Sequence, residues 1–396
     1  MASRASIFNV PALRFPEFSG EWEKVLLSSA CEINPKTGGS LDNQFLYIDL
    51  ESVVKGSLVK RQIIEKDGAP SRAQRVLKEN DILYQCVRPY QLNNYIFEGD
   101  TIQCVASTGY AQLRTTQFPL YIFQALHTKQ FTNQVLERCT GTNYPAINSS
   151  DLGTVEVPIC SFPEQVKIGS LLALIDSRIK IQSKIIEELK TLRSALRQRL
   201  LYQGSSDRIP LLCFAELKNG YAFKSNTYTE IGNHAIITIS NVTGERYIST
   251  EGCNKIQYIP SDIQDHQILH YGDILISMTG NVGRVSMCAE GSYMLNQRVG
   301  LLKIKPEYIE FSEFIFQCLR DLSFTNAMKD KGQGAAQQNI GKSDIEGYEI
   351  PWFDDARYMK SVANLLLKFD NAVLVEEKQY VKYTVQKAWL LSKLFI

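Results

Sequence analysis

A chain that repeats itself at half its own length is constrained before any single motif is read. Tyr121-Ile122-Phe123-Gln124-Ala125-Leu126 is matched 193 residues later by Phe314-Ile315-Phe316-Gln317-Cys318-Leu319. At the same offset Phe131-Thr132-Asn133 meets Phe324-Thr325-Asn326, Gly141 meets Gly334, and Ile147 meets Ile340. Ser150-Asp151 meets Ser343-Asp344, and Glu156 and Pro158 meet Glu349 and Pro351. One such match arises by chance; a run in one register points to duplication, and hence to two modules of one fold.

The repeat continues into two helices. No proline occurs between Pro163 and Pro210. There, Ile168, Leu172, Ile175, Ile179, Gln182, Ile186, Leu189, Arg193, Leu196 and Leu200 alternate spacings of four and three, which is a heptad seam. The second seam lies 194 residues on: Val362, Leu366, Phe369, Val373, Glu376, Tyr380, Tyr383, Lys387, Leu390 and Leu394. Polar seam positions match as well, Gln182 with Glu376 and Arg193 with Lys387. Each helix is expected to run about 40 residues, or about 60 Å at 1.5 Å per residue. Helices of that length need their seams covered, and the obvious partner of each is the other; separate packing on the two modules is the alternative. Gly204, followed by Ser205, Ser206 and Asp207, is a plausible stop for the first helix.

The remaining segments read mostly as short strands and turns, so each module is expected to be α+β. Asp273–Met278, a turn at Thr279–Gly283, and Arg284–Cys288 form a predicted hairpin. Asp81–Cys86 followed by Arg88-Pro89-Tyr90 stands at the corresponding place in the first module, and short helices are expected at 118–138 and 311–330. The predicted domains are 1–163, a long helix 164–204, a second module 205–353, and a second long helix 354–396. Glu164 and Gln165 are candidate caps for the first helix; Asp354 or Asp355 is the candidate for the second.

Composition excludes several classes. Lys and Arg number 43 against 42 Asp and Glu, so the chain does not coat nucleic acid by bulk charge. No apolar run is long enough for a membrane span, and Met1–Val10 does not read as a signal peptide. The 9 cysteines are widely spaced with no C-x-x-C pair, which fits reduced thiols in a cytoplasmic protein.

Catalytic constellations are missing from the sequence. It has no G-x-S-x-G, G-x-x-x-x-G-K-[ST] or H-E-x-x-H. His266 and His270, near Asp262 and Asp265, read as a polar surface turn rather than a metal site. Glu188-x-Lys190 has no upstream Pro-Asp partner and reads as a solvated helix face. What is present suits binding: Arg72 and Arg75 in one turn; Arg88, Asn93 and Asn94 in another; Thr279, Asn281 and Arg284 around the hairpin; and Asn296, Gln297 and Arg298 after it. Arg, Asn and Gln can form bidentate hydrogen bonds to base edges in the DNA major groove, although they also scaffold ordinary loops.

Several segments resemble a known family. Arg14-Phe15-Pro16-Glu17-Phe18 with Trp22 resembles the opening of type I restriction–modification specificity subunits. Gly141 to Ile147, Pro163-Glu164-Gln165 and Asp176-Ser177-Arg178-Ile179 are similar to the end of their target recognition domain and the start of the following helix. Ala69–Gln74 and Val87–Tyr90 resemble one type of recognition domain; Asn219–Ser225, Gly272–Leu275 and Leu295–Arg298 resemble another. The Glu-Gln after Pro163 has no counterpart after Pro351.

The resemblance implies a non-catalytic subunit. Two duplicated target recognition domains would be separated by an antiparallel coiled coil with pseudo-two-fold symmetry. Ile168, Leu172, Ile175, Ile179, Ile186, Leu189 and Leu196 would face Val362, Leu366, Phe369, Val373, Tyr380 and Leu390. Each module would read one half of a bipartite double-stranded DNA site. Methyltransferase (M) subunits using S-adenosylmethionine would dock near the helices. Restriction–translocase (R) subunits using ATP and Mg would complete the enzyme; no cofactor or metal is expected in this chain. Two other classes stay open. A standalone methyltransferase would carry Asn/Asp-Pro-Pro-Tyr/Phe, which Asn34-Pro35-Lys36 and Asn143-Tyr144-Pro145 do not match. A pseudo-symmetric scaffold binding only protein would share the repeat without reading DNA.

Overall fold

The computed structural model describes residues 9–36, 40–141, 143–202, 207–332 and 338–396. Gly334 and the expected stop at Gly204, Ser205 and Ser206 lie outside the described residues. The chain divides into two compact units. One holds residues 1–184 and 378–396, the other 185–377. Each unit therefore takes the first part of one long helix and the last part of the other.

In the first unit, one sheet orders Gln62–Glu65, Gln44–Ile48, Cys104–Ser107 and Ala73–Val76, with Gln44–Ile48 parallel to Cys104–Ser107. A second, wholly antiparallel sheet orders Cys31–Ile33, Tyr110–Thr115, Ile82–Gln85 and Tyr95–Ile96. The second unit builds the same pair. Lys255–Ile256, His234–Ile237, Tyr293–Leu295 and Ile268–Leu269 contain one parallel contact, between His234–Ile237 and Tyr293–Leu295. Ala215–Asn219, Val299–Ile304, Ile274–Ser277 and Val285–Met287 are antiparallel, and the last two form the expected hairpin. Duplication read from helical motifs thus extends to strand order. The short helical regions are each broken once, into Pro119–Ala125 and Lys129–Arg138, and into Ser312–Leu319 and Leu322–Lys331.

The long helices run Phe162–Tyr202 and Ala356–Leu394. In the first unit, Ile168, Leu172 and Ile175 share a core with Leu390, Leu394, Phe395, Trp22 and Tyr121. In the second, Val362 and Leu366 share a core with Leu201, Phe314 and Phe324, with Leu196 and Leu200 packed against it. Within each unit, then, the early part of one helix packs with the late part of the other, and the pairing is antiparallel. The middle seam residues follow the pattern: Ile179, Ile186, Leu189, Phe369 and Tyr380 are partly buried and Val373 is buried. Helix packing is close at Gly169, where a Cβ would sit 2.7 Å from the Tyr121 amide nitrogen.

The capping expectation for the first helix needs correction. Glu164 is fully buried and receives Arg14 Nε and Nη2, each at 2.8 Å. Gln165 donates to the Cys160 carbonyl and to Gln117 Oε1, and accepts from the Phe118 amide. Both side chains tie flanking segments to the helix instead of closing its end, because a carboxylate this deeply buried needs a charge partner. The second helix starts from Asp355, whose Oδ1 accepts the amides of Arg357 and Tyr358.

A polar group sits beside each antiparallel seam. In the first unit Asp176 accepts from Gln124 at 2.7 Å and pairs with Lys387 at 2.5 Å. In the second, Asp370 accepts from Gln317 at 2.8 Å and pairs with Arg193 at 2.6 Å. Gln124 and Gln317, Asp176 and Asp370, and Lys387 and Arg193 are repeat equivalents. The matched polar seam positions Arg193 and Lys387 are therefore the cations of two equivalent ion pairs. The second unit adds Arg320 and Arg246 on Asp370.

Candidate nucleic-acid interface

In each module three connecting segments meet at one edge. In the first, the chain leaves Ile82–Gln85 and makes a tight loop to Asn94. Buried Gln85 organises it, donating Nε2 to the Val87 carbonyl and Gln91 Oε1 while its Oε1 accepts the Asn93 amide. Arg88 and Leu92 both adopt left-handed backbone conformations, each at φ 54°, uncommon for residues with a side chain. Cys86 N–H donates to Gly109 O, and Thr108 N–H to Arg72 O, so the turn at 107–109 joins the Arg72 segment to this loop. The third segment follows helix Lys129–Arg138: Arg88 N–H donates to Pro145 O and Ile147 N–H to Cys86 O, at 2.8 and 3.0 Å.

The second module repeats this frame. Met278 N–H donates to Arg298 O, Gly280 N–H to Gln338 O, and Ile340 N–H to Met278 O. Gly280 and Gly283 have positive φ in the hairpin turn, and a Cβ on Gly283 would meet Met328 at 2.7 Å. Asn219-Gly220-Tyr221 also has a steric reason: a Cβ on Gly220 would lie 2.1 Å from the Asn296 carbonyl oxygen.

Against this frame the candidate residues separate. Arg72, Asn281, Gln297 and Arg298 are exposed, and Arg88, Asn93, Arg284 and Asn296 are partly so. Two are misassigned as surface readers. Asn94 is buried; its Oδ1 accepts the Gln85 amide and its Nδ2 faces His127. Thr279 is buried, and its hydroxyl donates to Asn339 Oδ1 at 2.9 Å. Both hold loops, since a buried polar group must be hydrogen-bonded. Asn93 Oδ1 accepts the Lys55 amide, and Asn296 Oδ1 the Arg298 amide, so part of each is engaged. Arg75 lies in a strand, where burial lowers its pKa.

The same frame exposes residues that the sequence reading passed over. Tyr144 is 64% exposed with the Arg88 guanidinium 4.4 Å from its ring centre. Asn339 is exposed and Gln338 partly so, on the matching segment of the second module. The Ile147–Ile340 match marked their neighbourhood, but not that these segments meet the strand-end loops. Among the described residues no group of three or more His, Cys, Asp or Glu could hold a metal. His266 instead contacts the Asn219 carbonyl oxygen.

The structure is thus a duplicated α+β module with polar side chains on converging loops, beside long paired helices. A family model for the type I restriction modification DNA specificity domain matches residues 19–191 and 213–378. The chain belongs to that family, the non-catalytic DNA-recognition component of type I restriction–modification systems. It is 25% identical over 166 residues to the specificity subunit of the type I restriction enzyme HindI of Haemophilus influenzae, covering 40% of this chain and 33% of that one. It is 23% identical over 286 residues to the putative type I restriction enzyme MjaX specificity subunit of Methanocaldococcus jannaschii, covering 68% and 64%. Neither match reaches two thirds of the relative's length. The crystal structure of a type I restriction–modification S subunit from M. genitalium shares the fold, with a TM-score of 0.66 at 17% identity over 98% of this chain and 99% of that one.

Proposed function

We propose that this chain reads double-stranded DNA for a type I restriction–modification enzyme, each module contacting one half of a bipartite, asymmetric site. One observation carries the reading. The same three-segment frame is built twice, yet the side chains at matched places differ: Arg88 against Gly280, and Ala146 against Asn339. A constant frame with variable side chains is what two different half-sites require. Arg72, Arg88, Asn281, Arg284, Gln297 and Arg298 are the proposed contacts.

The helices set the spacing between half-sites and dock methyltransferase subunits. Val381, Val385 and Trp389 form an exposed apolar row at i, i+4 and i+8 on the second helix. S-adenosylmethionine would be used by those subunits, and ATP and Mg by restriction–translocase subunits; this chain holds none of them. No helix among the described residues is long and apolar enough to cross a membrane.

The test is a ruler experiment. Seven residues inserted into each helix, in register with Gln182 and Glu376, preserve the 4-3 spacing. They lengthen each helix by about 10.5 Å, so the spacer in the methylated site should grow by up to about three base pairs with both half-sites unchanged. An unchanged spacer with full methylation would refute the measuring role. Failure of the chain with its methyltransferase partner to select any sequence would favour the protein-scaffold reading.

A further inference from the structure

In the first module Arg88 is a cation that rests on an aromatic ring at the surface. Arg88 is forced into a left-handed conformation by the Pro89–Gln91 turn and by donating its amide to Pro145. Among the described residues no hydrogen bond or ion pair holds its guanidinium; the Tyr144 ring does, at 4.4 Å. Tyr144 does no core work, being mostly exposed. Its loop is possible because Gly141, at φ 90°, can come close to the Tyr144 carbonyl, where even a Cβ would be tight at 3.1 Å. Two segments distant in sequence thus spend backbone strain and a glycine to bring a planar cation and a planar ring together at the surface.

We infer that Tyr144 is a specificity-determining residue for the first half-site, acting as a platform that orients Arg88 for bidentate contact with a guanine. This rests on the DNA-reading function proposed above and assigns one contact within it. Stacking uses the face of a guanidinium and leaves its N–H edge free, the edge that matches guanine O6 and N7. A freely rotating arginine loses side-chain entropy on binding a base, and one already held on a ring loses less. In the second module Gly280 takes the place of Arg88 and supplies no such cation, while Thr279 bonds Asn339 on the facing segment. The segment after the short helices is therefore a reading element in each module, with Asn339, the counterpart of Ala146, exposed on it in the second.

The test selects DNA from a pool of randomised duplexes with the full chain and its methyltransferase partner. The variants are Arg88→Ala, Tyr144→Ala, Tyr144→Phe and the double alanine. Tyr144→Ala should lower discrimination about tenfold at a G·C position of one half-site, within the range of a single bidentate contact. Tyr144→Phe keeps the ring and should restore it. The double variant should be no worse than Arg88→Ala, because the ring acts through the arginine, and the other half-site should stay unchanged in every variant. Unchanged discrimination by Tyr144→Ala, or equal loss in both half-sites, would overturn the assignment while leaving DNA reading intact. If the unaltered chain selects no sequence, the DNA-reading proposal fails and this inference with it.

Discussion

The two polar groups beside the helix seam descend from one arrangement and now work differently. In the first unit Asp176 keeps contact with water, its side chain 33% exposed, and has one cationic partner, Lys387. At the place of Arg320 stands His127, whose ring contacts the Phe123 carbonyl and Asn94. In the second unit Asp370 is fully buried and bound by Arg193, Arg246 and Arg320. Glu313 accepts from both Nη atoms of Arg246, whose Nη1 is shared with Asp370, and Arg197 lies buried beside them, donating to Gln317. Burial would raise the Asp370 carboxyl, yet Arg320, Gln317 and Arg193 hold it at about 2. Burial, together with Arg320 and Arg193, lowers Arg197 to about 10. One geometry thus supports a semi-exposed pair in one place and a desolvated cluster in the other. The difference is set by how many cations share a single carboxylate.

Removing the carboxylate should separate the two most strongly. Asp370→Ala strands three buried guanidinium groups and should cost about 3–5 kcal/mol in denaturant unfolding, the range for breaking a buried ion pair. Asp176→Ala should cost about 1 kcal/mol, as for a partly exposed pair. Equal losses would show that burial does not distinguish the sites.

Acid should break them in a different order. Burial, then Lys387, depresses His127 to about 4. Its ring is neutral in the folded state, while the unfolded chain takes up a proton near pH 6.5. Stability from this group is therefore present above pH 6.5 and lost as the pH falls toward 4. The loss should be about 2 kcal/mol, discounted for the solvent-touching edge of the ring. Asp370 keeps its contribution until the pH falls below about 3.8 and loses it toward 2. Hydrogen exchange followed down the pH scale should show the first unit loosening first, and His127→Gln should remove its upper step.

A smaller contrast lies in helix packing. Gly169 and Ala363 are equivalent, but only the first helix comes too close to its module for a methyl group. Gly169→Ala should destabilise by about 1–3 kcal/mol despite the better helix propensity, as overpacking does. Ala363→Gly should cost about 1 kcal/mol from propensity and lost packing. Thermal melts of the two variants check this; a stabilised Gly169→Ala would show that Tyr121 and Phe118 can shift aside.

Much of this architecture was legible because it is periodic. Heptad spacing and a constant offset survive any loop variation, so the two helices and the duplication could be read directly. The ion pairs could be read only by half: Arg193 and Lys387 stood out in the seams, but Asp176 and Asp370 lie off them. The loops were legible as polar turns, not as individual contacts. Asn94 and Asn281 look alike in a sequence, yet one is buried under Gln85 and the other exposed. Tyr144 was hidden because its significance lies in the chain 56 residues away that brings Arg88 to it.

The division of each helix between two units has a consequence in time. The core around Trp22 and Tyr121 is closed by Leu390, Leu394 and Phe395. Nearly two hundred residues separate Lys184 from Lys378, where the rest of the first unit begins. At about 5–20 residues per second, a ribosome needs about 10–40 s to span them. Throughout that interval an apolar face of the first unit lacks its cover, while the second unit is one continuous stretch from Ile185 to Glu377. The half of the protein that is translated first is the half that finishes folding second.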